Sequence, residues 1–152
     1  MVMKKRKKTV LFLNIEQLLG DSFEHFVEDG FFNPEGHYVL VHIFTPEIRS
    51  HLPAQVNKKD DEAVNAFILR KMFEVVERVW GEPSPNWVDV EVLYHKEPKL
   101  RAVNYLRDEK ADSCVVATRG EQGVSGIFKD SFAYFLVANA PCDVLILRPV
   151  KK

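Results

Sequence analysis

Short, continuously apolar runs recur along the chain and are separated by segments with a helical repeat. Residues 10–13 (Val-Leu-Phe-Leu) and 144–147 (Val-Leu-Ile-Leu) contain no polar residue at all. A continuous apolar run of this length indicates a strand that is covered on both faces, as in a parallel sheet. Five strands are predicted on this basis, at residues 9–14, 38–44, 88–94, 113–117 and 144–147.

Apolar residues between these runs repeat at the spacing of a helix. The longest repeat has intervals of four, four, three and four residues: Val64, Ile68, Met72, Val75 and Val79. Such residues line one face of a helix. Shorter repeats follow Pro98 and lie within residues 132–139, and a less regular one spans residues 16–29. Residues 45–61 are predicted to form a long loop.

The alternation of strands and helices predicts the fold class and the number of domains. It indicates an α/β protein, namely a three-layer α/β/α sandwich around a five-stranded, mostly parallel sheet. The chain has 152 residues and shows no internal boundary. We therefore expect one domain over residues 1–152, with residues 1–8 as a basic tail.

Composition and charge exclude several classes of partner. The formal net charge is −1, so no global electrostatic attraction to nucleic acid or to an anionic membrane is expected. The basic tail precedes an apolar stretch that is too short for a signal peptide, and no run approaches the ~18 apolar residues of a membrane helix. A cytoplasmic location is therefore expected.

Histidine and cysteine spacing predicts neither a metal site nor a redox motif. The five histidines form no HxH or HExxH pattern, so no metal is expected. His42 lies within a predicted strand and is expected to be a hydrogen-bonded residue of the core or its rim. Cys114 and Cys142 are 28 positions apart and form no CxxC pair. A thiol buried in an apolar strand is usually inert, and no redox role is predicted for either residue.

The last forty residues carry the most distinctive motif. It begins with residues 111–120 (Ala-Asp-Ser-Cys-Val-Val-Ala-Thr-Arg-Gly), continues with Gly123, Gly126 and Ser131, and ends with residues 140–147 (Ala-Pro-Cys-Asp-Val-Leu-Ile-Leu). This succession resembles the C-terminal half of the universal stress protein family.

The resemblance covers nearly the whole chain but is uneven. It is strong over residues 111–148 and weaker before them, where the strand that contains His42 and the position of Pro98 are similar to the family pattern. It implies the Rossmann-like universal stress protein fold. It also implies a homodimer that forms through the last strand, at residues 144–147.

In ATP-binding members of that family the motif reads Gly, two residues, Gly, nine residues, Gly, then Ser or Thr. Such a Gly-rich turn lets backbone amides approach phosphate oxygens, and the helix that follows adds the positive end of its dipole. Without gaps, the motif positions fall on Ala117, Gly120, Asp130 and Ser131. The nucleotide site implied by the resemblance, between the first and fourth strands, comprises Asn14, Ile43, Val116, Ala117, Gly120, Asp130, Ser131 and Phe132.

Three of these positions depart from the family pattern. Ala117 replaces a glycine and restricts the backbone. Asp130 replaces another, and a carboxylate about 4 Å from a phosphate charge costs on the order of 4 kcal/mol at an effective dielectric of 20. Asp130 also suits the N-cap of a helix that begins at Ser131. Asn14 stands where the family commonly has an aspartate. The expectation is therefore that no cofactor binds tightly, with ATP or AMP as possible ligands.

Three functions follow from these observations. The first is a non-catalytic, homodimeric stress protein with weak or absent nucleotide binding. The second is a regulatory switch that binds ATP or AMP between strands 1 and 4, with slow hydrolysis not excluded. The third is an adaptor that binds a protein partner through residues 45–61 and the Phe31–Phe32 pair. An enzyme acting on a small molecule is the least supported, because the sequence contains neither GxxxxGK[ST] nor GxSxG.

Overall fold

A computed structural model describes residues 7–14, 35–82, 85–117 and 131–147. The elements are β1 (Lys8–Phe12), β2 (His37–Phe44), α1 (Pro46–Arg49), α2 (Asp61–Trp80), β3 (Val88–Tyr94), α3 (Pro98–Asp108), β4 (Ser113–Ala117), α4 (Ser131–Asn139) and β5 (Asp143–Leu147). All five predicted strands are confirmed, with ends that differ by at most two residues. The predicted helix at residues 16–29 lies outside the described residues.

The five strands form one sheet in the order β3-β2-β1-β4-β5. All four pairings are parallel. Strand β1 lies at the centre, where Leu11 pairs with Leu40 on one side and with Val115 on the other. The chain adds β2 and β3 on one side of β1 and then crosses to add β4 and β5 on the other. The sheet therefore has a topological switch point between β1 and β4.

Helices cover both faces of the sheet, which confirms the predicted layering. Helix α2 packs Ile68 and Met72 against the face that includes Leu11 and Leu40. The opposite face is covered by α3 and α4, whose inward side chains pack with Val10 and Phe12 of β1: Ala102, Tyr105, Leu106, Ala133 and Leu136. Val10 and Leu11 point to opposite faces and both are fully buried. This explains why the run in β1 is continuously apolar.

The segment after β2 is more ordered than a plain loop, so that prediction was wrong in part. Its first residues form the short helix α1, in which the Thr45 hydroxyl accepts a hydrogen bond from the Ile48 amide at 3.4 Å. Arg49 ties the segment together: its Nη1 lies 2.8 Å from both the Lys58 carbonyl oxygen and Asp61 Oδ1. Four residues are too few to show a helical repeat, which is why the sequence did not reveal α1.

Adjacent residues of α2 give a matched test of the packing. Met72 is fully buried, whereas Phe73 is 48% exposed. Replacing Met72 by alanine leaves a cavity in the core, and we expect it to lower the free energy of unfolding by about 2–5 kcal/mol. Phe73→Ala should change it by no more than about 0.5 kcal/mol. Urea titration of both variants measures the difference, and equal losses would contradict the assigned orientation of the helix.

Candidate functional site

The carboxyl ends of β1 and β4 lie side by side at the switch point. Phe12 pairs with Val116, so the residues that follow, Leu13 and Ala117, lie next to each other where the β1–β4 ladder ends; Ala117 is the last residue of β4 and still pairs with Leu147 of β5. Asn14 comes next on β1 and is half-buried, as is Ala117. The structure therefore brings Asn14 and Ala117 to the same edge of the sheet, as the sequence predicted. This crevice is where open α/β sheets bind their ligands.

One wall of the crevice is apolar and belongs to the face covered by α3 and α4. Phe12 and Phe132 meet edge to face, with ring centroids 5.6 Å apart and planes at 81°. Val116 and Ile43 belong to the same core cluster, and both are buried. Three of the predicted site residues (Ile43, Val116 and Phe132) thus pack together with Phe12 in one core cluster.

The phosphate-binding part of the predicted site cannot be placed in the same way. Gly120 and Asp130 lie outside the described residues. Helix α4 is described from Ser131 onwards, where the described residues resume, so the predicted helix start at Ser131 stays a prediction. A role for Asp130 as the N-cap of that helix stays a prediction.

His42 fixes the end of β1, a role that the sequence pattern did not indicate. Its Nδ1 lies 2.8 Å from the Leu13 carbonyl oxygen, so Nδ1 carries the proton and donates. The Leu13 amide in turn donates to the Val41 carbonyl oxygen at 2.8 Å. These two bonds hold the residue that precedes Asn14 against β2. The expectation that His42 is a hydrogen-bonded core residue is confirmed.

Burial also determines the charge of His42. The side chain is almost completely buried, and burial lowers its pKa. The hydrogen bond to Leu13 raises the pKa, but by less than burial lowers it. Nε2 is buried and has no hydrogen-bond partner among the described residues. Because a charged imidazole would also carry a proton on Nε2, where that N–H would have no acceptor among the described residues, the neutral form is the one that fits this position.

The described residues contain neither a cluster of metal-ligating side chains nor a membrane-spanning helix. No three side chains of histidine, cysteine, aspartate or glutamate in those ranges come together as metal ligands. No helix in the described part of the chain has the length and apolar character needed to cross a membrane.

The sheet, its two helical layers and its switch point define the structural class of this protein. A parallel sheet with helices on both faces, a switch point at its centre and a polar residue in the crevice is typical of open α/β domains with a ligand site at the strand ends. Within that class, the family model "Universal stress protein family" matches residues 34–148. The chain belongs to the universal stress protein family. No curated protein sequence matches it.

Solved structures of universal stress proteins share the fold at low sequence identity. One is UspA from Lactobacillus plantarum, with a TM-score of 0.64, 17% identity and coverage of 95% of this chain and 100% of that one. A universal stress protein from Archaeoglobus fulgidus in complex with dAMP has a TM-score of 0.58 and 16% sequence identity, and the match covers 96% of this chain and 100% of that one. A universal stress protein in complex with cAMP has a TM-score of 0.61 and 16% sequence identity, and the match covers 95% of this chain and 98% of that one.

The lowered pKa of His42 predicts how stability depends on pH. Below pH 6.5 the unfolded chain protonates this imidazole while the folded chain does not. Since the unfolded state then binds more protons, stability should fall as the pH drops from 6.5 towards the folded-state pKa. An asparagine can keep a donor near Leu13 and does not titrate. We expect the wild type to lose more unfolding free energy than His42→Asn between pH 7.5 and pH 5, as measured by urea titration. Parallel losses would contradict this assignment.

Proposed function

We propose that this chain is a non-catalytic universal stress protein of the cytoplasm that acts as a homodimer and binds adenine nucleotides weakly or not at all. The observation that carries the proposal is the exposed apolar edge of β5. The prediction of weak nucleotide binding rests on the altered residues at the crevice. The prediction that the chain is not catalytic rests on the contacts of the histidines.

Strand β5 is an edge strand with an uncovered side chain. Among the described strands it pairs only with β4. Val144 and Ile146 pack towards the α3 and α4 face, whereas Leu145 points away from it and is 40% exposed. An apolar edge with free backbone groups is a hazard for a single chain. A second copy related by a two-fold axis would pair the two β5 strands and cover Leu145.

The crevice supports only weak nucleotide binding. Two of the similar structures hold cAMP or dAMP, so an adenine nucleotide is the ligand to consider here. The nucleotide would lie at the carboxyl ends of β1 and β4, beside Asn14 and Ala117. Asn14 offers hydrogen bonds without a charge, and the Ala117 methyl narrows the approach to the backbone. Asp130, by its sequence position in the phosphate motif, would repel the phosphate.

Three of the four histidines in the described ranges are engaged with groups other than a nucleophile. Nε2 of His37 lies 2.6 Å from Asp89 Oδ2, and Nδ1 of His95 accepts from the Glu97 amide at 2.9 Å. His42 bonds a backbone carbonyl. Each is engaged with a carboxylate or the backbone rather than with a serine or cysteine, so nucleophilic catalysis has no support in these residues.

The bound nucleotides of the relatives favour a second candidate, a regulatory switch that binds ATP or AMP.

The adaptor hypothesis is weaker. Leu52, in the segment after β2, is buried in the core instead of being presented to a partner. The Phe31–Phe32 pair on which that hypothesis also depends lies outside the described residues.

The dimer can be tested by placing a charge on the exposed edge. Leu145→Asp should convert the dimer to a monomer, because pairing would bury an unpaired carboxylate. Phe73→Asp is the matched control, since it adds the same charge at an equally exposed apolar position on α2. Light scattering after gel filtration gives the mass of each. A monomeric wild type, or a dimeric Leu145→Asp variant, would refute the proposed interface.

The nucleotide prediction is tested at Asp130. We expect about 5 mM AMP or ATP to raise the Tm of the wild type very little, because a weak ligand stabilises little by mass action. Removing the carboxylate should tighten binding roughly tenfold or more, which corresponds to about 1.4 kcal/mol of relieved repulsion. Asp130→Asn removes the charge and keeps a capping side chain, whereas Asp130→Gly removes both.

The two variants separate charge from capping. If repulsion limits binding, both variants should show a larger nucleotide-dependent shift in Tm than the wild type. If the cap occupies the amides, only Asp130→Gly should do so. A large shift in the wild type itself would favour the switch that binds ATP or AMP.

A further inference from the structure

The amino ends of the strands form an open pocket at the edge of the sheet opposite the crevice. Its volume is about 380 Å³, which falls in the range of small-molecule sites. The lining comes from the starts of β1 and β2, from the residues just before β3 and from the turn between α3 and β4; it includes Lys8, His37, Trp87, Glu109, Lys110 and Asp112. We call it the amino-edge pocket.

Positive and negative charges are balanced in this pocket. The Lys8 ammonium donates to Glu109 Oε2 at 3.1 Å, and the Lys8 backbone amide donates to Asp112 Oδ2 at 2.7 Å. Each carboxylate has a second oxygen that makes no hydrogen bond with the described residues. Lys110 supplies the second positive charge, so two lysines and two carboxylates line the same space. A ligand of a single sign, such as a phosphate or a polyamine, would meet like charges there.

Lys110 has a backbone conformation that a lysine adopts only at an energetic cost. It follows the last turn of α3 with a φ of 53°, in the left-handed region, and no other described non-glycine residue has a positive φ. The Ala111 amide donates to the Leu106 carbonyl oxygen at 3.0 Å, and the Lys110 amide donates to that of Arg107 at 3.1 Å. Helices that end in this way usually have glycine at the left-handed position. Strained residues of this kind cluster at functional sites.

Contacts within the described part of the chain do not explain why a lysine stands at this position. The Lys8 ammonium is held by Glu109, whereas the Lys110 ammonium forms no ion pair or hydrogen bond with a described residue. Lys110 is therefore the cation that can bind an acidic group of a ligand. The second oxygens of Glu109 and Asp112 can accept hydrogen bonds from a basic group of the same ligand.

Trp87 gives the pocket an apolar wall in a fixed position. Its ring lies 5.6 Å from that of Tyr38 and 5.9 Å from that of Trp80, measured between centroids, and both contacts are edge to face. The Trp87 carbonyl oxygen accepts a hydrogen bond from the Tyr38 amide at 2.9 Å. Trp87 is only half-buried, so a ligand can pack an apolar group against it.

We propose that the amino-edge pocket binds a free α-amino acid with an apolar side chain. The carboxylate of the ligand pairs with Lys110, its ammonium with Glu109 and Asp112, and its side chain packs against Trp87. A zwitterion satisfies both signs of charge with one small molecule. The pocket and the nucleotide crevice lie at opposite ends of β1, so this site depends neither on nucleotide binding nor on a dimer formed through β5.

Tryptophan fluorescence reports directly on this pocket. The chain contains two tryptophans, Trp80 and Trp87, and their rings are in contact. We expect L-phenylalanine at millimolar concentrations to change the emission of the full chain in a saturable way, with excitation at a wavelength that phenylalanine does not absorb. Isothermal titration calorimetry measures the same Kd independently. If L-phenylalanine produces neither a change in emission nor heat of binding, the proposal is wrong.

Analogues that lack one of the two charges test how the ligand is recognised. Phenethylamine has no carboxylate and hydrocinnamate has no ammonium, whereas both keep the aromatic ring of phenylalanine. Each should bind at least about tenfold more weakly than L-phenylalanine, because one set of charged groups in the pocket loses its partner. Glycine has no side chain to pack against Trp87 and should also bind more weakly. Equal affinities for L-phenylalanine and either analogue would contradict recognition of a zwitterion.

The variant Lys110→Gly separates ligand binding from stability. It removes the ammonium and relieves the left-handed backbone, so it should bind L-phenylalanine at least about tenfold more weakly while its Tm rises by roughly 2–8 °C. Lys96→Gly is the matched control, because it removes the same charge from an exposed position at the opposite edge of the sheet and should leave the affinity unchanged. Undiminished binding by Lys110→Gly, or equal losses in both variants, would overturn the assignment.

Discussion

The pairing of β1 on both of its edges is the constraint on which the rest of the structure depends. Val10 and Leu11 are each fully buried, on opposite faces, and the strand shares ladders with β2 and β4. A strand buried on both faces requires helices on both sides of the sheet. Because successive strands are added first on one side of β1 and then on the other, the crevice opens beside β1 and β5 is left at an edge.

The crevice at the carboxyl ends of β1 and β4 is supported by contacts from helix α4 and strand β2. The phenyl ring of Phe132 rests against Phe12, and His42 holds Leu13 in place from the neighbouring strand. These contacts hold the end of β1 in place. Under the proposed function, the chemistry at the rim is what differs from nucleotide-binding relatives, since Asn14 has no charge and Ala117 carries a methyl group. The proposed site would keep its shape while its affinity for nucleotides falls.

The sequence predicted the strands well because a continuous apolar run is a strong local signal, and the Val64–Val79 repeat likewise marked α2. The positions of Asn14 and Ala117 at one edge followed from the parallel topology. Contacts that depend on the register of distant segments could not be predicted. His42 meets Leu13 across 29 positions.

The central position of β1 has a consequence for the order in which the protein is synthesised. Thr9 pairs with Ser113, so one edge of β1 has no partner until about a hundred further residues have been added. At a rate of about 5–20 residues per second, that edge stays unpaired for roughly 5–20 seconds. The segment most deeply buried in the finished domain is thus among the longest exposed on the ribosome, where nascent chains with open apolar edges recruit chaperones or aggregate.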